Sequence, residues 1–240
     1  MTAPTQPVIT LEAPAKLTLS LRLTGVRNDG LHLIDAEMVT LDLHDTLEVV
    51  EGGSGLTVIG GGSDIPTGPE NLVNRALSLA GKQAAVTLTK RIPSQAGLGG
   101  GSSDAGAILR WAGFTDLAAA AELGADIPFC TVGGRARVTG IGEVVEPLPF
   151  LPATFTLITP PVACPTGAIY RRWDELGGPA GETGNDLEPA ALSVAPELAR
   201  WRDELGDSTG RTPRLAGSGS TWFVEGAFPG AGRQVAQTVA

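Results

Sequence analysis

One glycine-rich segment constrains this chain more than any other. Residues 97–105 are Gly-Leu-Gly-Gly-Gly-Ser-Ser-Asp-Ala, and an apolar helical pattern runs on to Trp111. Glycine lets a backbone turn sharply and approach a ligand closely, because it has no Cβ atom. A helix start adds unpaired N–H groups and the positive end of the helix dipole, so this order of loop, hydroxyls and helix predicts a phosphate site. The alternative is a flexible surface loop without a ligand.

Two familiar phosphate-binding motifs do not fit this loop. No Lys follows Gly101, as the Walker motif requires, and the glycine spacing differs from the dinucleotide-binding fingerprint. The hydroxyls of Ser102 and Ser103 are therefore the predicted side-chain contacts to phosphate or metal. The carboxylate of Asp104 would repel a phosphate, so we expect it to point away from the ligand.

Composition excludes several classes of protein. A length of 240 residues fits one large domain or two small ones, and a net charge of −9 argues against nucleic-acid or anionic-membrane partners. Backbone N–H groups can still hold a small phosphate ligand. We find no signal peptide and no apolar run long enough to span a membrane, so we expect a cytoplasmic protein, either a monomer or a homodimer. Cys130 and Cys164 match no metal spacing and are predicted to fill the core.

The remaining pattern predicts strands in groups with helices between them, which favours an α+β protein of two subdomains. We expect the first strands to break at Pro14, and a helix over 103–113 to follow the glycine loop. Thr115 is a candidate cap for the next helix. Further helices are predicted over 71–81, where apolar residues recur at helical spacing, and over 167–176, 189–205 and 233–239.

Two charged residues stand in apolar surroundings, and the sequence leaves two interpretations open for each. Lys16 lies in an apolar strand; an inward Lys is rare unless it is paired, but it could equally face solvent. Asp126 follows Gly124 and precedes Pro128, which favours a turn or cap residue. It could instead be a buried base beside Lys16, where the cation would keep it ionised.

Taken together, seven segments resemble the GHMP kinases, and they occur in the family's order along most of the chain. The glycine loop marks the superfamily. The element around Lys16, the loop ending at His32 and the element 124–128 are similar to members that act on 4-diphosphocytidyl-2-C-methyl-D-erythritol. The matching segments are residues 14–17, 27–32, 71–73, 97–105, 123–129, 185–188 and 215–219.

The resemblance implies a two-lobed α+β fold with the substrate between the lobes. Residues 1–152 would form an ATP-binding lobe like domain 2 of ribosomal protein S5, and residues 153–240 a ferredoxin-like lobe. The implied reaction moves the γ-phosphoryl group of ATP, accompanied by Mg²⁺, to the 2-hydroxyl of that small cytidyl diphosphate substrate in non-mevalonate isoprenoid synthesis. The alternatives are another GHMP kinase, of the homoserine or mevalonate type, and a non-catalytic ligand-binding protein on the same scaffold.

The resemblance also implies roles for individual residues. Asp126 would be the catalytic base and Lys16 its partner, His32 would hydrogen-bond the cytosine, and Ser102 or Ser103 would contact the Mg²⁺. The expected ATP-binding residues are Asn71, Pro93, Gly97, Leu98, Gly99, Gly100, Gly101, Ser102 and Ser103. The expected substrate-binding residues are Thr18, Leu31, His32, Thr166, Tyr170, Gly217 and Ser218. The family usually has Tyr at the position of Leu31, so we expect weaker pyrimidine binding here. It usually has Asn at the position of Thr18, and a hydroxyl replaces some of the hydrogen bonds of that amide but not all.

Overall fold

The computed structural model describes residues 7–61 and 65–240, which form ten strands and seven helices. The strands are β1 (Ile9–Val26), β2 (His32–Glu51), β3 (Leu56–Ile59), β4 (Ala84–Thr89), β5 (Arg135–Gly140), β6 (Val144–Pro147), β7 (Thr154–Ile158), β8 (Arg214–Leu215), β9 (Trp222–Glu225) and β10 (Arg233–Gln237). The helices are α1 (Leu72–Leu79), α2 (Gly100–Trp111), α3 (Leu117–Leu123), α4 (Ile127–Val132), α5 (Thr166–Glu175), α6 (Glu188–Val194) and α7 (Leu198–Thr209).

A long hairpin of β1 and β2 is the centre of the first, six-stranded sheet. The strand order is β3-β4-β2-β5-β6, and β1 pairs antiparallel with β2 along its length. The predicted break at Pro14 is wrong: the strand continues, and its register shifts between Pro14 and Lys16. Such a β-bulge absorbs a residue that cannot donate to the ladder, and it bends the strand just where Lys16 is presented.

Helices α1 to α4 cover one face of this sheet over an apolar core. Leu47, Val86 and Ile108 are among its buried side chains. Helices α2 and α4 come very close, because a Cβ atom on Gly106 would lie only 2.6 Å from the backbone carbon of Cys130. A glycine is therefore needed where the two helices meet.

The second sheet has four antiparallel strands in the order β10-β7-β9-β8, and helices α5 to α7 belong to the same half of the chain. A second apolar cluster, including Leu17, Leu41, Phe155 and Phe223, joins this sheet to the β1–β2 hairpin. The α+β class predicted from the sequence is confirmed. The division between residues 152 and 153 stays a prediction.

The predicted helix starts and caps differ from the structure at two points. Helix α2 begins at Gly100 rather than at Ser103, so the last glycines and both serines lie in its first turns. Helix α3 is capped by Asp116 rather than by Thr115, because the Asp116 carboxylate accepts a hydrogen bond from the Ala119 N–H at 3.0 Å.

Two predictions for the second half are also wrong. The helix expected over 189–205 is two helices, α6 and α7, separated at Pro196, which cannot continue a helix. The helix expected over 233–239 is the strand β10, which pairs with β7. Pairing with β7, which lies far away in the sequence, outweighs the local helical preference of this segment.

Both cysteines are buried and unbridged, as predicted for core residues. In the part of the chain that the structure describes, no group of three or more His, Cys, Asp or Glu side chains is placed to hold a metal ion. Over the same residues, every helix is too short or too polar to cross a lipid bilayer.

Candidate active site

A cavity of about 1410 Å³ opens where the glycine-rich loop, the start of β2, helix α5 and the segment 217–219 meet. This volume exceeds the 300–1,000 Å³ typical of a pocket for one small ligand. The cavity therefore has room for two ligands side by side.

Lys16 and Asp126 meet in this cavity. The Lys16 ammonium lies 3.2 Å from Asp126 Oδ2 and donates to Thr18 Oγ1 at 3.1 Å. The Lys16 side chain is 5% exposed, so it faces inward, whereas a third of the Asp126 side chain (33%) remains accessible. Asp126 precedes α4, but its carboxylate makes no capping hydrogen bond there. The carboxylate is thus paired with Lys16 instead of serving as a helix cap.

Two glycine segments enclose Lys16. The Lys16 backbone N–H donates to the Leu98 carbonyl at 3.0 Å. A Cβ atom on Gly99 would lie 2.7 Å from Lys16 Cγ, and one on Gly217 would lie 3.3 Å from Lys16 Nζ. Larger residues at these positions would displace the ammonium from Asp126.

The glycine loop adopts backbone conformations that other residues rarely take. Gly97 has φ +76°, and Gly99 has φ +70° at the N-cap of α2. The first N–H groups of this twelve-residue helix have no partner within the helix. They lie at the cavity wall formed by Gly100, Gly101 and Ser102, which is the arrangement that anions favour.

Most of the predicted site residues line the cavity. These are Lys16, Thr18, Leu31, His32, Asn71, Pro93, Gly97, Gly99, Gly100, Gly101, Ser102, Asp126, Thr166, Tyr170, Gly217 and Ser218.

The side chains of Ser103 and Leu98 are turned away from the cavity, so any contact of these two residues with ATP would be through the backbone. Ser103 is 1% exposed, and its hydroxyl lies 3.5 Å from the Cys130 thiol in the interior. Successive residues of a helix point about 100° apart, so Ser103 faces the interior while Ser102 lines the cavity. The Leu98 side chain packs in the core.

The second glycine segment, 215–219, is fixed to the rest of the site by Asn185. The Asn185 amide donates to the carbonyl oxygens of Leu215 at 2.9 Å and Gly217 at 2.7 Å. A Cβ atom on Gly97 would lie 2.2 Å from the Ala216 carbonyl oxygen, so the two glycine segments pack backbone to backbone. The Asn185 element was matched in the sequence, but its connection to this segment depends on the fold.

A cluster of ring side chains lines another part of the cavity. The His32 ring lies 4.9 Å from the Tyr170 ring and 5.7 Å from the Trp173 ring, and its Nε2 lies 2.8 Å from Asp174 Oδ1. Burial, together with the negative charge of Asp126, raises the pKa of the Tyr170 hydroxyl. Trp173 and Asp174 were missed from the sequence; their spacing from Tyr170 on one helix was the available signal.

A buried charge cluster lies beneath the glycine loop. The Lys90 ammonium contacts Asp104 Oδ2 at 2.7 Å and also contacts Asp45, and all three side chains are almost completely buried. Burial raises the pKa of Asp104 to about 7, although the Lys90 charge opposes the shift. The 2.7 Å contact shows that the Asp104 carboxylate faces Lys90. No local pattern indicates this cluster, because its members come from distant segments.

Comparison with known proteins identifies the same family as the sequence motifs. Residues 71–134 match the family described as GHMP kinases N terminal domain. A relative from Dinoroseobacter shibae, named 4-diphosphocytidyl-2-C-methyl-D-erythritol kinase, is 39% identical over 95% of this chain and 88% of its own length. A relative of the same name from Paracoccus denitrificans is 37% identical over 88% of this chain and 84% of its own length.

A solved structure gives the same result at the level of the fold. A 4-(cytidine 5'-diphospho)-2C-methyl-D-erythritol kinase superimposes with a TM-score of 0.76 at 30% identity, covering 97% of this chain and 100% of that one. Sequence, fold and cavity therefore agree that the chain belongs to the 4-diphosphocytidyl-2-C-methyl-D-erythritol kinase family of the GHMP kinases.

Proposed function

We propose that this protein transfers the γ-phosphoryl group of ATP to the 2-hydroxyl of 4-diphosphocytidyl-2-C-methyl-D-erythritol. One observation carries the proposal: an inward Lys16–Asp126 ion pair lies in a cavity lined by a phosphate-type glycine loop and by the His32–Tyr170 rings. The names of relatives at 37–39% identity support the same substrate. A cytoplasmic role in isoprenoid precursor synthesis goes with this proposal.

Asp126 acts as the general base in this reaction. Its carboxylate accepts the proton of the substrate hydroxyl as that oxygen attacks the γ-phosphorus atom. The Lys16 ammonium, 3.2 Å from the carboxylate, holds it in place and stabilises negative charge on the transferred group. In phosphoryl transfer, positioning and charge stabilisation supply most of the catalysis.

The start of α2 binds the phosphates of ATP. Backbone N–H groups of Gly100, Gly101 and Ser102 lie at the cavity wall and need no basic side chain to hold an anion. Asn71 and Pro93 line the same cavity and complete the nucleotide contacts.

Mg²⁺ enters with ATP in this proposal, rather than in a protein cage of its own. The described residues contain no acidic or histidine cluster for it, and Mg²⁺ usually keeps its waters and binds through substrate phosphates. Ser102 is the hydroxyl that fits, since it lines the cavity and Ser103 does not. The ion would neutralise charge on the phosphate oxygens.

The cytidyl part of the substrate binds at the ring cluster. His32 hydrogen-bonds the base and Tyr170 stacks on it, with Leu31 on the other side. Thr18, Thr166, Gly217 and Ser218 line the path from this cluster towards Asp126 and contact the rest of the substrate.

A coupled ADP-release assay tests the proposal. The purified protein is given ATP, Mg²⁺ and, in separate reactions, the cytidyl substrate, homoserine or mevalonate. We expect ADP release above the acceptor-free control only with the cytidyl substrate. Comparable turnover with homoserine or mevalonate would instead support another GHMP kinase, and ligand binding without turnover would support a binding protein.

A further inference from the structure

We propose that Asp174 is a positioning residue that sets the protonation of the His32 ring and thereby selects the pyrimidine base. It holds the proton on His32 Nε2, which leaves Nδ1 as a hydrogen-bond acceptor for an amino-bearing base such as cytosine. The base-selection part rests on the proposed function; the protonation part does not.

Helix α5 surrounds the His32 ring with three side chains. Tyr170, Trp173 and Asp174 are spaced i, i+3 and i+4, so they share one face of the helix. Tyr170 and Trp173 contact the ring at centroid distances of 4.9 Å and 5.7 Å. Asp174 Oδ1 lies 2.8 Å from Nε2. The ring therefore has one orientation, fixed from a neighbouring element.

The surroundings of the ring are themselves anchored. The Trp173 indole N–H donates to the Pro179 carbonyl oxygen at 2.9 Å. The backbone of His32 pairs with Val26 at the end of the β1–β2 hairpin. The only side-chain hydrogen bond to the His32 ring among residues 7–61 and 65–240 is the one with Asp174.

The hydrogen bond to Asp174 decides which ring nitrogen carries the proton. A carboxylate only accepts hydrogen bonds, so Nε2 must donate. A neutral imidazole has one donor and one acceptor nitrogen, and Nδ1 is then the acceptor. His32 lines the cavity and is 10% exposed as a side chain, so its remaining polar atom is available to a ligand.

An acceptor at this position distinguishes two pyrimidines. Cytosine has an exocyclic amino group, which donates, where uracil has a carbonyl oxygen, which only accepts. Nδ1 would bond the first and be left without a partner by the second. Leu31 offers neither a hydrogen bond nor an aromatic face, so base selection depends more heavily on His32.

Nitrogen NMR of the histidine rings tests the protonation directly and needs no substrate. The chain has two histidines, and a His44→Gln variant assigns the signals of His32. In the neutral form of the ring, reached by raising the pH, we expect Nε2 protonated and Nδ1 unprotonated in the unmutated protein, and a mixture of both tautomers in Asp174→Ala. Glu175→Gln is the matched control, because Glu175 pairs with Arg172 on the same helix and should leave His32 unchanged. Protonation of Nδ1 alone, or an unchanged ring in Asp174→Ala, would overturn the proposal.

Binding of CDP and UDP measured by calorimetry tests the base selection without turnover. We expect the unmutated protein to prefer CDP, and Asp174→Ala to lose about three- to tenfold in CDP affinity, as for one hydrogen bond, with little change for UDP. In the kinase assay the same variant should raise KM for the cytidyl substrate while kcat and KM for ATP change far less. Equal losses for CDP, UDP and ATP would mean that Asp174 only supports the fold. An unmutated protein that binds CDP with the expected ring protonation but phosphorylates nothing would refute the proposed function alone.

Discussion

At the scale of the residue, burial and pairing decide questions that spacing leaves open. The sequence permitted Lys16 to face either way and favoured Asp126 as a cap; the structure buries Lys16 and pairs it with Asp126. Because the two residues lie far apart in the sequence, no local pattern could predict this contact. The family motif singled out both residues, but only the fold brings their side chains together.

Asp126→Asn should lower turnover by about 10²–10⁴-fold, because an amide keeps the shape of the side chain but cannot accept the proton. ATP affinity, measured by calorimetry, should remain close to that of the unmutated protein. Asp116→Asn is the matched control: Asp116 caps α3, and Asn caps helices about as well. Near-normal turnover in Asp126→Asn would contradict its role as the base.

At the scale of the element, three apolar helices were predicted with small boundary errors, whereas the edge strand β10 was not predicted as a strand. Helices α1, α2 and α5 follow from apolar spacing, which reflects the face that each helix buries. The strand β10 was mistaken for a helix, since its partner β7 lies far away in sequence. The exact start of α2 also depends on context, because three glycines in a row have no strong preference of their own.

Gly99→Ala should impair ATP binding and turnover together by about tenfold or more. The substitution strains a backbone with φ +70° and sets a Cβ atom 2.7 Å from Lys16 Cγ. Gly113→Ala, at the other end of α2, is the control, because Gly113 has φ +68° but a Cβ atom there would meet nothing within 4 Å. Both variants should lose about 1–2 kcal/mol of stability in urea unfolding, because each places an L residue in the left-handed region. Similar kinetic losses in both would show that strain alone, and not the contact with Lys16, is responsible.

At the scale of the whole molecule, a few contacts between distant segments hold the site in place. The cluster of Lys90, Asp45 and Asp104 links the end of β4 to β2 and α2 beneath the glycine loop. With one cation among two buried carboxylates, ionisation of both carboxylates leaves one negative charge in excess, and one Asp104 oxygen has no hydrogen-bond partner in the described residues. This arrangement makes stability depend on pH.

Asp104→Asn should gain stability relative to the unmutated protein as the pH rises from about 5 to about 8. The folded-state pKa of Asp104 is raised from 3.8 to about 7, so the unmutated protein loses stability progressively as the pH rises between those values. The Asn side chain carries no charge, so the variant lacks this pH dependence. Between pH 5 and pH 8, the free energy of unfolding of the variant should therefore rise by roughly 1–3 kcal/mol relative to that of the unmutated protein. Urea unfolding at both pH values measures it, with the exposed Asp207→Asn as the control. A difference that does not vary with pH would show that Asp104 stays ionised throughout.

The packing of the two glycine segments against each other also determines when the site can form during synthesis of the chain. Arg22 of β1 binds Asp186, which follows it by 164 residues, and Asn185 beside it holds the segment that packs on Gly97. Ala216, which packs on Gly97, follows the end of the glycine loop at Ala105 by 111 residues (216 − 105), and at about 5–20 residues per second a ribosome needs roughly 6–22 s to add them. For that interval the nascent chain carries its finished glycine loop without the surface against which the loop is packed. Assembly of the site must therefore wait for the last quarter of the chain to leave the ribosome.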